Sequence, residues 1–497
     1  MMSEERYKLH PISAVMNFIK GLKDLIFPFV VVFVANGFQG GPGENEDWTR
    51  FIPYILGFGF LVLILISGIV KWKRFVYWFE DNELRIEYGL FVKMKRYIPF
   101  ERIQSLNYTE SILHRPLKLV KVKIETAGSG NPDEAEAELT AITKEAASRI
   151  EKELVEAKKR KQSRVDINDL EEQSFSEKET VSIVPVFKMK QKDLLILATT
   201  SGGIGVVFSG LAVFMLQFSE LIPYEKIYEE MMVFLKFGFF LVAISVFFVL
   251  VLAWIVSVIL TTLNYFEFTI WKDDDQIIIT RGLLEKKKVS IPIARVQGIR
   301  IVENPLRQLF GYCTVFVESA GGSLSDKDQK IRLFPFIKKE KLNHYLVNLF
   351  PDLHVESEWT VSPEKAKPFY YRLDFIWMIP VIVGVGYFYF PYGLLSLLLI
   401  PVLILFGLWQ HRSAGYSIKG NQLSMRYRGF SKYTFMIEKK RMQSVEMKQS
   451  PFQKKHLLAS FETTIKSGLL GATAKVEHLE LKDVEEVMNW FTPSEKS

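Results

Sequence analysis

Residues 282–302, GLLEKKKVSIPIARVQGIRIV, contain the pattern that decides the fold of this chain. Gly282 stands thirteen residues before Arg295, which opens the tripeptide Arg-Val-Gln. The same pattern of a turn glycine followed by Arg-x-Gln occurs twice more, at Gly89 with Arg102 and at Gly429 with Arg441. A unit that recurs three times in 497 residues predicts an array of similar domains. Such an array favours a scaffold or binding surface over a single active site.

Apolar runs that could cross a bilayer precede each copy of the pattern. A spanning helix needs ~20 apolar residues. Six runs approach or reach that length: Leu22–Phe38, Phe51–Val70, Leu194–Phe218, Phe237–Leu260, Phe375–Phe390 and Gly393–Trp409. The first run is the weakest because its uninterrupted part contains Pro28. The runs predict three membrane hairpins, at residues 22–70, 194–260 and 375–409.

Charge placement predicts the orientation of these hairpins. Short cytoplasmic loops carry an excess of Lys and Arg. Three basic residues in 71–74 follow the second run, and three in 188–192 precede the third. The loop at 219–236 instead has four glutamates against two lysines. We therefore expect a multi-pass protein of the plasma membrane with both termini and all β-rich units in the cytoplasm. The single cysteine, Cys313, fits a reducing compartment.

The segments between the hairpins read as antiparallel strands that end in one amphipathic helix. In the second copy, short alternating runs separated by Gly and charged turns continue to a helical run with Leu342, Leu346 and Leu349 on one face. About seven strands and one helix per copy predict three domains, at residues 74–157, 264–350 and 415–491. Residues 158–190 form the predicted linker. Its part at 158–181 is expected to be disordered because it is rich in charge and poor in apolar residues.

These motifs resemble one known family, the membrane-anchored bacterial pleckstrin-homology-like (PH-like) proteins of the YdbS/YdbT type. The residues that carry the resemblance are Gly89-Leu90, Ile98-Pro99 and Arg102–Leu106 in one copy, and Gly282-Leu283, Ile291-Pro292 and Arg295–Ile299 in the next. The resemblance covers nearly the whole chain and matches the longer, YdbT-like members. It implies a polytopic α-helical membrane protein with three cytoplasmic α+β PH-like domains, each a curled antiparallel sheet plus a C-terminal helix. It implies no biochemical activity.

Two sets of residues are candidates for contacts with ligands. The first set is basic and lies near the turn glycines: Lys93, Lys95, Arg96, Lys286, Lys287, Lys288, Arg426, Arg428 and Lys432. Near a bilayer each could attract anionic lipid, or each could simply be solvated on a hairpin. The second set is the repeated motif: Arg102, Gln104, Arg295, Gln297, Arg441 and Gln443. Arginine suits phosphates and carboxylates, but we interpret this motif as structural.

Composition and motif searches favour binding over catalysis. The spans carry no ionisable residue at depth, so an ion or proton pathway is not expected. The sequence has no phosphate-binding loop, nucleophile elbow or histidine pair at metal spacing, and we predict no cofactor and no enzyme activity. The net charge of +7 suits anionic lipid, and nothing points to nucleic acid.

Further partners and a second function stay open. The small residues in the spans suit close helix packing or a homo-oligomer, and the family resemblance adds a smaller paralogous membrane protein as a possible partner. The alternative function is a membrane component of envelope-stress or antimicrobial-peptide tolerance, acting as an exporter or part of one.

Overall fold

The three repeated units fold alike, each as seven strands and a closing helix. The computed structural model describes residues 6–22, 52–126, 137–165, 185–201, 239–273, 275–319, 331–355, 358–467 and 471–492. Within this part of the chain, every unit begins with a short strand, passes through membrane helices and then continues with six more strands. The described membrane helices therefore lie between the first and second strands of their own unit.

The first unit runs from Tyr7 to Val165. Its elements are β1 (Tyr7–Lys8), α1 (Ile12–Leu22), α2 (Ile52–Arg74), β2 (Val76–Glu80), β3 (Glu83–Tyr88), β4 (Met94–Pro99), β5 (Ile103–Glu110), β6 (Leu119–Thr126), β7 (Ala137–Thr143) and α3 (Lys144–Val165). Strands β1 to β4 form one antiparallel sheet, in which Tyr7 stands opposite Tyr77. Strands β5 to β7 form a second meander, and α3 packs on it.

The second unit repeats this order. Its elements are β8 (Pro185–Lys188), α4 (Gln191–Thr200), α5 (Phe239–Tyr265), β9 (Thr269–Asp273), β10 (Gln276–Arg281), β11 (Lys286–Pro292), β12 (Val296–Glu303), α6 (Pro305–Leu309), β13 (Tyr312–Ser319), β14 (Ile331–Lys338) and α7 (Lys339–Leu349). The predicted apolar face of the last helix is confirmed, since Leu342, Leu346 and Leu349 are buried.

The third unit completes the array. Its elements are β15 (Thr360–Val361), α8 (Lys367–Phe388), α9 (Leu399–His411), β16 (Gly415–Lys419), β17 (Gln422–Arg428), β18 (Lys432–Glu438), β19 (Met442–Lys448), α10 (Pro451–Lys455), β20 (Leu458–Ile465), β21 (Ala472–Glu480) and α11 (Leu481–Phe491). A 3-10 segment, Tyr392–Leu398, leads into α9.

Three of the described helical segments are long and apolar enough to cross a membrane. They are Ile55–Arg74, Val246–Tyr265 and Tyr392–His411, and they confirm three of the predicted spans. A shorter apolar stretch, Trp377–Phe388, forms the end of α8. The predicted run at 22–38 lies outside the described residues apart from Leu22, and the run at 194–218 is described only as far as Ser201.

The predicted domain boundaries miss the start of each unit. Strands β1, β8 and β15 precede the membrane helices, whereas the predicted domains began after them. The predicted linker at 158–190 is wrong at both ends, because α3 continues to Val165 and Pro185–Lys188 forms β8. The rest of that linker lies outside the described residues. Two to four residues form each missed strand, too few to display the alternation that marks a strand in sequence.

The units are joined by sheets that run from one into the next. Strand β5 of the first unit pairs antiparallel with β11 of the second, and β12 of the second pairs with β18 of the third. Each of these two sheets has seven strands, three from one unit and four from the following one. The sequence predicted three separate domains. Their fusion follows from main-chain hydrogen bonding, which side-chain patterns do not encode directly.

Each unit nevertheless has its own apolar core. Successive side chains of a strand point to opposite faces, and at the junction between the second and third units these faces belong to different cores. Phe435 is buried in the core of the third unit, whereas its neighbour Met436 packs into the core of the second. The shared strand β18 thus contributes side chains to two cores at once, and the core of the second unit is completed by a residue of the third.

Candidate membrane-facing surface

The turn between the third and fourth strands of each unit lies beside the end of a membrane helix. We call these turns the hairpin tips; they comprise residues 89–92, 282–285 and 429–431. In the first, Arg74 at the end of α2 donates a 2.6 Å hydrogen bond to the carbonyl of Leu90. In the second, Leu283 N–H donates to the carbonyl of Leu263 in α5 at 2.8 Å. In the third, the Arg428 guanidinium lies 3.8 Å from the ring of Trp409 in α9.

Backbone geometry explains the glycines that begin the first two tips. Gly89 and Gly282 have φ angles of +134° and +104°, a region that other residues rarely adopt. A Cβ on Gly282 would lie 2.1 Å from the carbonyl oxygen of Glu285. Gly429 has no such angle and open space around it, so the third tip does not require a glycine. The glycine of the repeated pattern therefore lies in the same turn in all three units, but only Gly89 and Gly282 have a backbone conformation that favours glycine.

A second set of loops lies on the same side of each unit. We call them the short-helix loops; they comprise residues 111–118, 304–311 and 450–457, and each contains one turn of helix. Arg307 in the second loop donates to the Thr200 hydroxyl of α4 at 3.3 Å. In the third loop, the His456 ring lies 5.4 Å from that of Phe369 at the start of α8. The second and third of these loops therefore lie where the membrane helices enter their units, and the first contacts the second hairpin tip.

The two sets of loops touch across the junctions. Arg115 of the first short-helix loop donates to the carbonyl of Leu283 in the second hairpin tip. At the next junction, the Ser431 hydroxyl donates to Asn304 Oδ1 at 2.6 Å, and Arg428 donates to Gln308 Oε1 at 2.7 Å. Antiparallel pairing places the end of one strand beside the start of its partner, which is why these loops meet. Together the hairpin tips and short-helix loops make up the surface next to the membrane helices, which we call the border, and contacts join its loops at the two junctions.

This border displays large apolar side chains to solvent. Phe91 is 90% exposed, Leu309 80%, Phe430 73% and Phe452 70%. Other exposed apolar side chains on it are Val92, Ile112, Leu113, Leu117, Leu283, Leu284, Leu306, Phe310 and Leu457. Exposed apolar side chains concentrated in these loops point to an interaction site. Sequence reasoning missed the short-helix loops, although each reads as apolar residues beside a proline and a basic residue.

The predicted basic clusters have different surroundings in the three units. In the first, exposed Lys93 and Lys95 form ion pairs with Glu87 at 2.7 and 3.2 Å. The hydrogen bond from Lys93, followed by that from Lys95, lowers the pKa of the Glu87 carboxyl. Arg96 lies against the ring of Tyr88, at 5.9 Å from its centroid.

The second cluster lies at the first junction. Lys286 is exposed, Lys287 lies 3.8 Å from Glu285, and Lys288 Nζ forms a 3.2 Å ion pair with Glu151 of α3. Lys288 also lies over the ring of Tyr108 in β5, at 5.1 Å. One of these three lysines therefore links the second unit to the first, and the other two stay near the second hairpin tip.

The third cluster is engaged within the protein. Arg426 donates to the carbonyl of Ser413 at 2.9 Å, and Arg428 donates to the Ser413 hydroxyl at 2.7 Å. Lys432, whose side chain is 12% exposed, forms a 3.3 Å ion pair with Glu303 of the second unit. Burial lowers the pKa of Lys432, and the attraction of Glu303 opposes that effect. These side chains stabilise the junction and the end of α9.

The Arg-x-Gln motif lies where one sheet turns into the next. Arg295 is largely buried and faces Glu125 of the first unit, with Nη1 and Oε2 3.7 Å apart. Burial lowers the pKa of Arg295, against the opposing effect of Glu125. Gln297 donates to the carbonyl of Arg295 at 3.2 Å. This copy of the motif thus contacts the preceding unit and its own backbone, and its structural role stays a prediction.

The other two copies have different surroundings. Arg441 lies with Gln297 and Met436 on a small cavity of about 130 Å³ between the second and third units. In the first unit Arg102 is exposed and Gln104 half-buried, and in the third Gln443 is exposed. The six motif residues do not come together in one site.

The bacterial PH domain model matches this chain three times, over residues 29–158, 232–348 and 379–494. The chain belongs to the bacterial PH domain family. Along 99% of its length it is also 35% identical to UPF0699 transmembrane protein YdbT of Bacillus subtilis (strain 168), of which it covers 99%. No solved structure matches it. The resemblance inferred from the motifs is therefore confirmed, as is a membrane protein with PH-like units.

Proposed function

We propose that this protein is a membrane-anchored scaffold whose three PH-like units rest on anionic lipid at the cytoplasmic face of the plasma membrane. The observation that carries the proposal is the apolar border of hairpin tips and short-helix loops, since it lies where the membrane helices meet the units. The role is binding rather than catalysis. In this proposal the border contacts the lipid, and the shared sheets hold the three units in a fixed order.

Magnitudes decide which contacts dominate this docking. Burying one Phe or Leu side chain is worth about 1.5–3 kcal/mol, and one lysine near anionic lipid contributes about 1 kcal/mol. The border exposes Phe91, Leu309, Phe430 and Phe452 among others, whereas the third basic cluster is engaged inside the protein. Apolar insertion therefore supplies most of the free energy. The lysines beside the first two hairpin tips supply the preference for anionic headgroups.

Fluorescence quenching by lipid tests this docking in the full chain. Leu284→Cys and Leu309→Cys would each carry an environment-sensitive label, in protein reconstituted with phosphatidylcholine alone or mixed with phosphatidylglycerol. Native Cys313 is buried, so the introduced cysteine takes the label. Asn421→Cys is the matched control, because Asn421 is exposed at the turn between β16 and β17, at the end of β16 away from α9. Brominated lipid should quench the labels at 284 and 309 and leave the label at 421 bright.

A charge variant separates the two contributions. Lys286→Gln with Lys287→Gln should reduce the extra quenching at position 284 in phosphatidylglycerol and leave quenching in phosphatidylcholine unchanged. Labels at 284 and 309 that are quenched no more than the label at 421 would rule out docking of the border.

The cytoplasmic orientation is part of the proposal and has its own test. A membrane-impermeant thiol reagent should label Asn421→Cys in inverted membrane vesicles and fail to label it in intact cells. Labelling in intact cells would reverse the orientation.

A further inference from the structure

The two junctions between units use the same register. At the first, Lys286 of β11 stands opposite Glu110 of β5, and at the second, Lys432 of β18 stands opposite Glu303 of β12. Both glutamates are the eighth residue after the arginine of the motif. One geometry, in which the fifth strand of a unit pairs with the fourth strand of the next, therefore builds the whole array.

At the two ends of the array, this geometry leaves one fourth strand and one fifth strand without a partner strand from a neighbouring unit. Among the described residues, β4 of the first unit pairs only with β3, and β19 of the third pairs only with β20. Met94 of β4 is 51% exposed and Met447 of β19 is 44% exposed. Ile301, which occupies the position of Met447 on the paired strand β12, is 4% exposed. An open strand edge with apolar side chains is a template for further pairing.

We propose that β4 of one molecule pairs with β19 of a second copy, in the register of the two internal junctions. The partner is a copy of this chain because β4 is a fourth strand and β19 a fifth strand without a neighbouring unit, and a fourth strand pairs with a fifth strand at both internal junctions. This inference goes beyond lipid docking and does not depend on it. The contact is heterologous, so it closes a ring where the rotation permits and otherwise continues as a row in the membrane.

The register places charged residues of opposite sign in contact. In the second junction Phe435 stands opposite Arg300, whose guanidinium lies 4.6 Å from the phenyl ring. Phe435 is two residues before Ile437, and Arg300 is five residues after the motif arginine. The residues at these positions on the open edges are Arg96, two before Ile98, and Glu446, five after Arg441. The contact between Arg300 and Phe435 shows that side chains at these two positions are close enough to touch. Arg96 of one copy and Glu446 of the next would therefore form an ion pair.

The same comparison distinguishes the ends of the array from its interior. The internal junctions have Val289 or Phe435 in place of Arg96, and Asn107 or Arg300 in place of Glu446. Conversely, the glutamate shared by the internal junctions is replaced by Gln449 in the third unit. Different charge patterns at the open and internal edges select the end-to-end contact over an exchange with internal strands.

Crosslinking in native membranes tests the pairing. In this register Lys95 stands opposite Met447, and directly opposed residues have Cβ atoms about 4.5–5.5 Å apart. Lys95→Cys and Met447→Cys would be expressed together on full-length copies with two different tags, and membranes would be oxidised mildly. We expect a disulfide-linked dimer that carries both tags, and no dimer from either variant alone. Lys287→Cys with Thr109→Cys in one chain is the positive control, because these residues are paired in the first junction.

Other outcomes would overturn the proposal. Dimers of Lys95→Cys alone would show a symmetric contact, and a crosslink to another protein would show a different partner. Absence of a mixed dimer while the internal control crosslinks would show that the edges stay open.

A charge exchange gives a second measurement. Arg96→Glu or Glu446→Arg alone should reduce the yield of the mixed dimer several-fold, and both changes in every copy should restore it. The internal control crosslink, made in the same variants, shows that each still folds. Equal yields from the single and double variants would exclude the ion pair and with it this register.

Discussion

The buried ion pair between Arg300 and Glu318 should control the stability of the junction between the second and third units. Nε of Arg300 lies 2.9 Å from Oε1 of Glu318, which makes an ion pair, although the two groups are not aligned as a hydrogen bond. The side chains of Arg300 and Glu318 are 9% and 1% exposed. Arg300 also donates to the Tyr427 hydroxyl at 3.2 Å, and it lies over Phe435. It therefore connects β12 to strands of the following unit.

Replacing Arg300 by Met leaves the Glu318 carboxylate buried, and among the described residues the Ser467 hydroxyl, at 2.8 Å, is its remaining side-chain donor. Breaking a buried pair by removing one partner destabilises a protein by about 3–5 kcal/mol. The double replacement Arg300→Met with Glu318→Met removes both charges, and such exchanges are often close to neutral. The single variant should thus be much less stable than the double variant.

Cys313 provides the assay, because it lies on β13 next to β12 and is fully buried. Burial raises the pKa of its thiol to about 12, so a maleimide reacts only when the unit opens. A loss of about 3–5 kcal/mol corresponds to a labelling rate roughly two to more than three orders of magnitude faster. The double variant should label within about tenfold of the unchanged protein, by the same conversion.

Either of two results would contradict this role of the ion pair. If Arg300→Met labels no faster than the unchanged protein, the pair does not hold the unit closed. Alternatively, the double variant could label as fast as the single one, in which case lost packing and not the unpaired carboxylate would be the cause.

Three further predictions concern single positions. Burial holds the pKa of His478 below 6.5, so below that pH the unfolded chain binds a proton that the folded chain excludes. Thermal stability of the third unit should therefore fall as the pH is lowered through this range, and His478→Gln should flatten the profile. Gly282→Ala should lower the midpoint of thermal unfolding because its Cβ meets the backbone, whereas Gly429→Ala should leave it unchanged. Ser450→Ala removes a capping box and should cost about 1 kcal/mol, measured by chemical denaturation.

Local sequence patterns were sufficient to predict the repeated unit and the three spans that the described residues confirm. The turn at Gly282, the alternation in β10 and β11, and the apolar face of α7 each depend on residues close in the chain. The sequence did not predict β1 or β15, because two residues cannot show a period. It also did not predict the pairing of β5 with β11, since hydrogen bonds between main chains leave little trace in the side chains.

The sequence predicted the basic residues of the candidate site but not their different surroundings in the three units. Those surroundings depend on where a unit lies along the array. A lysine begins the fourth-strand segment of each unit, as Lys93, Lys286 and Lys432. In the first unit this lysine is exposed at an open edge, whereas Lys432 is buried against Glu303 of the preceding unit. Similar residues at equivalent positions therefore differ in role, because only the later units have a unit before them. Pattern alone cannot distinguish these cases.

Fusion of the sheets also determines which experiments can report on function. Each PH-like unit takes its first strand from before its membrane helices and shares a sheet with its neighbour. A segment cut at the predicted domain boundary would lack β8 or β15 and would expose a strand edge that is covered in the full chain. Such a fragment could bind lipid or itself through surfaces that the intact protein does not present. Lipid docking and end-to-end pairing must therefore be measured on the whole chain in a bilayer, where the strands at both junctions are paired and, among the described strands, β4 and β19 are the fourth and fifth strands without a neighbouring unit.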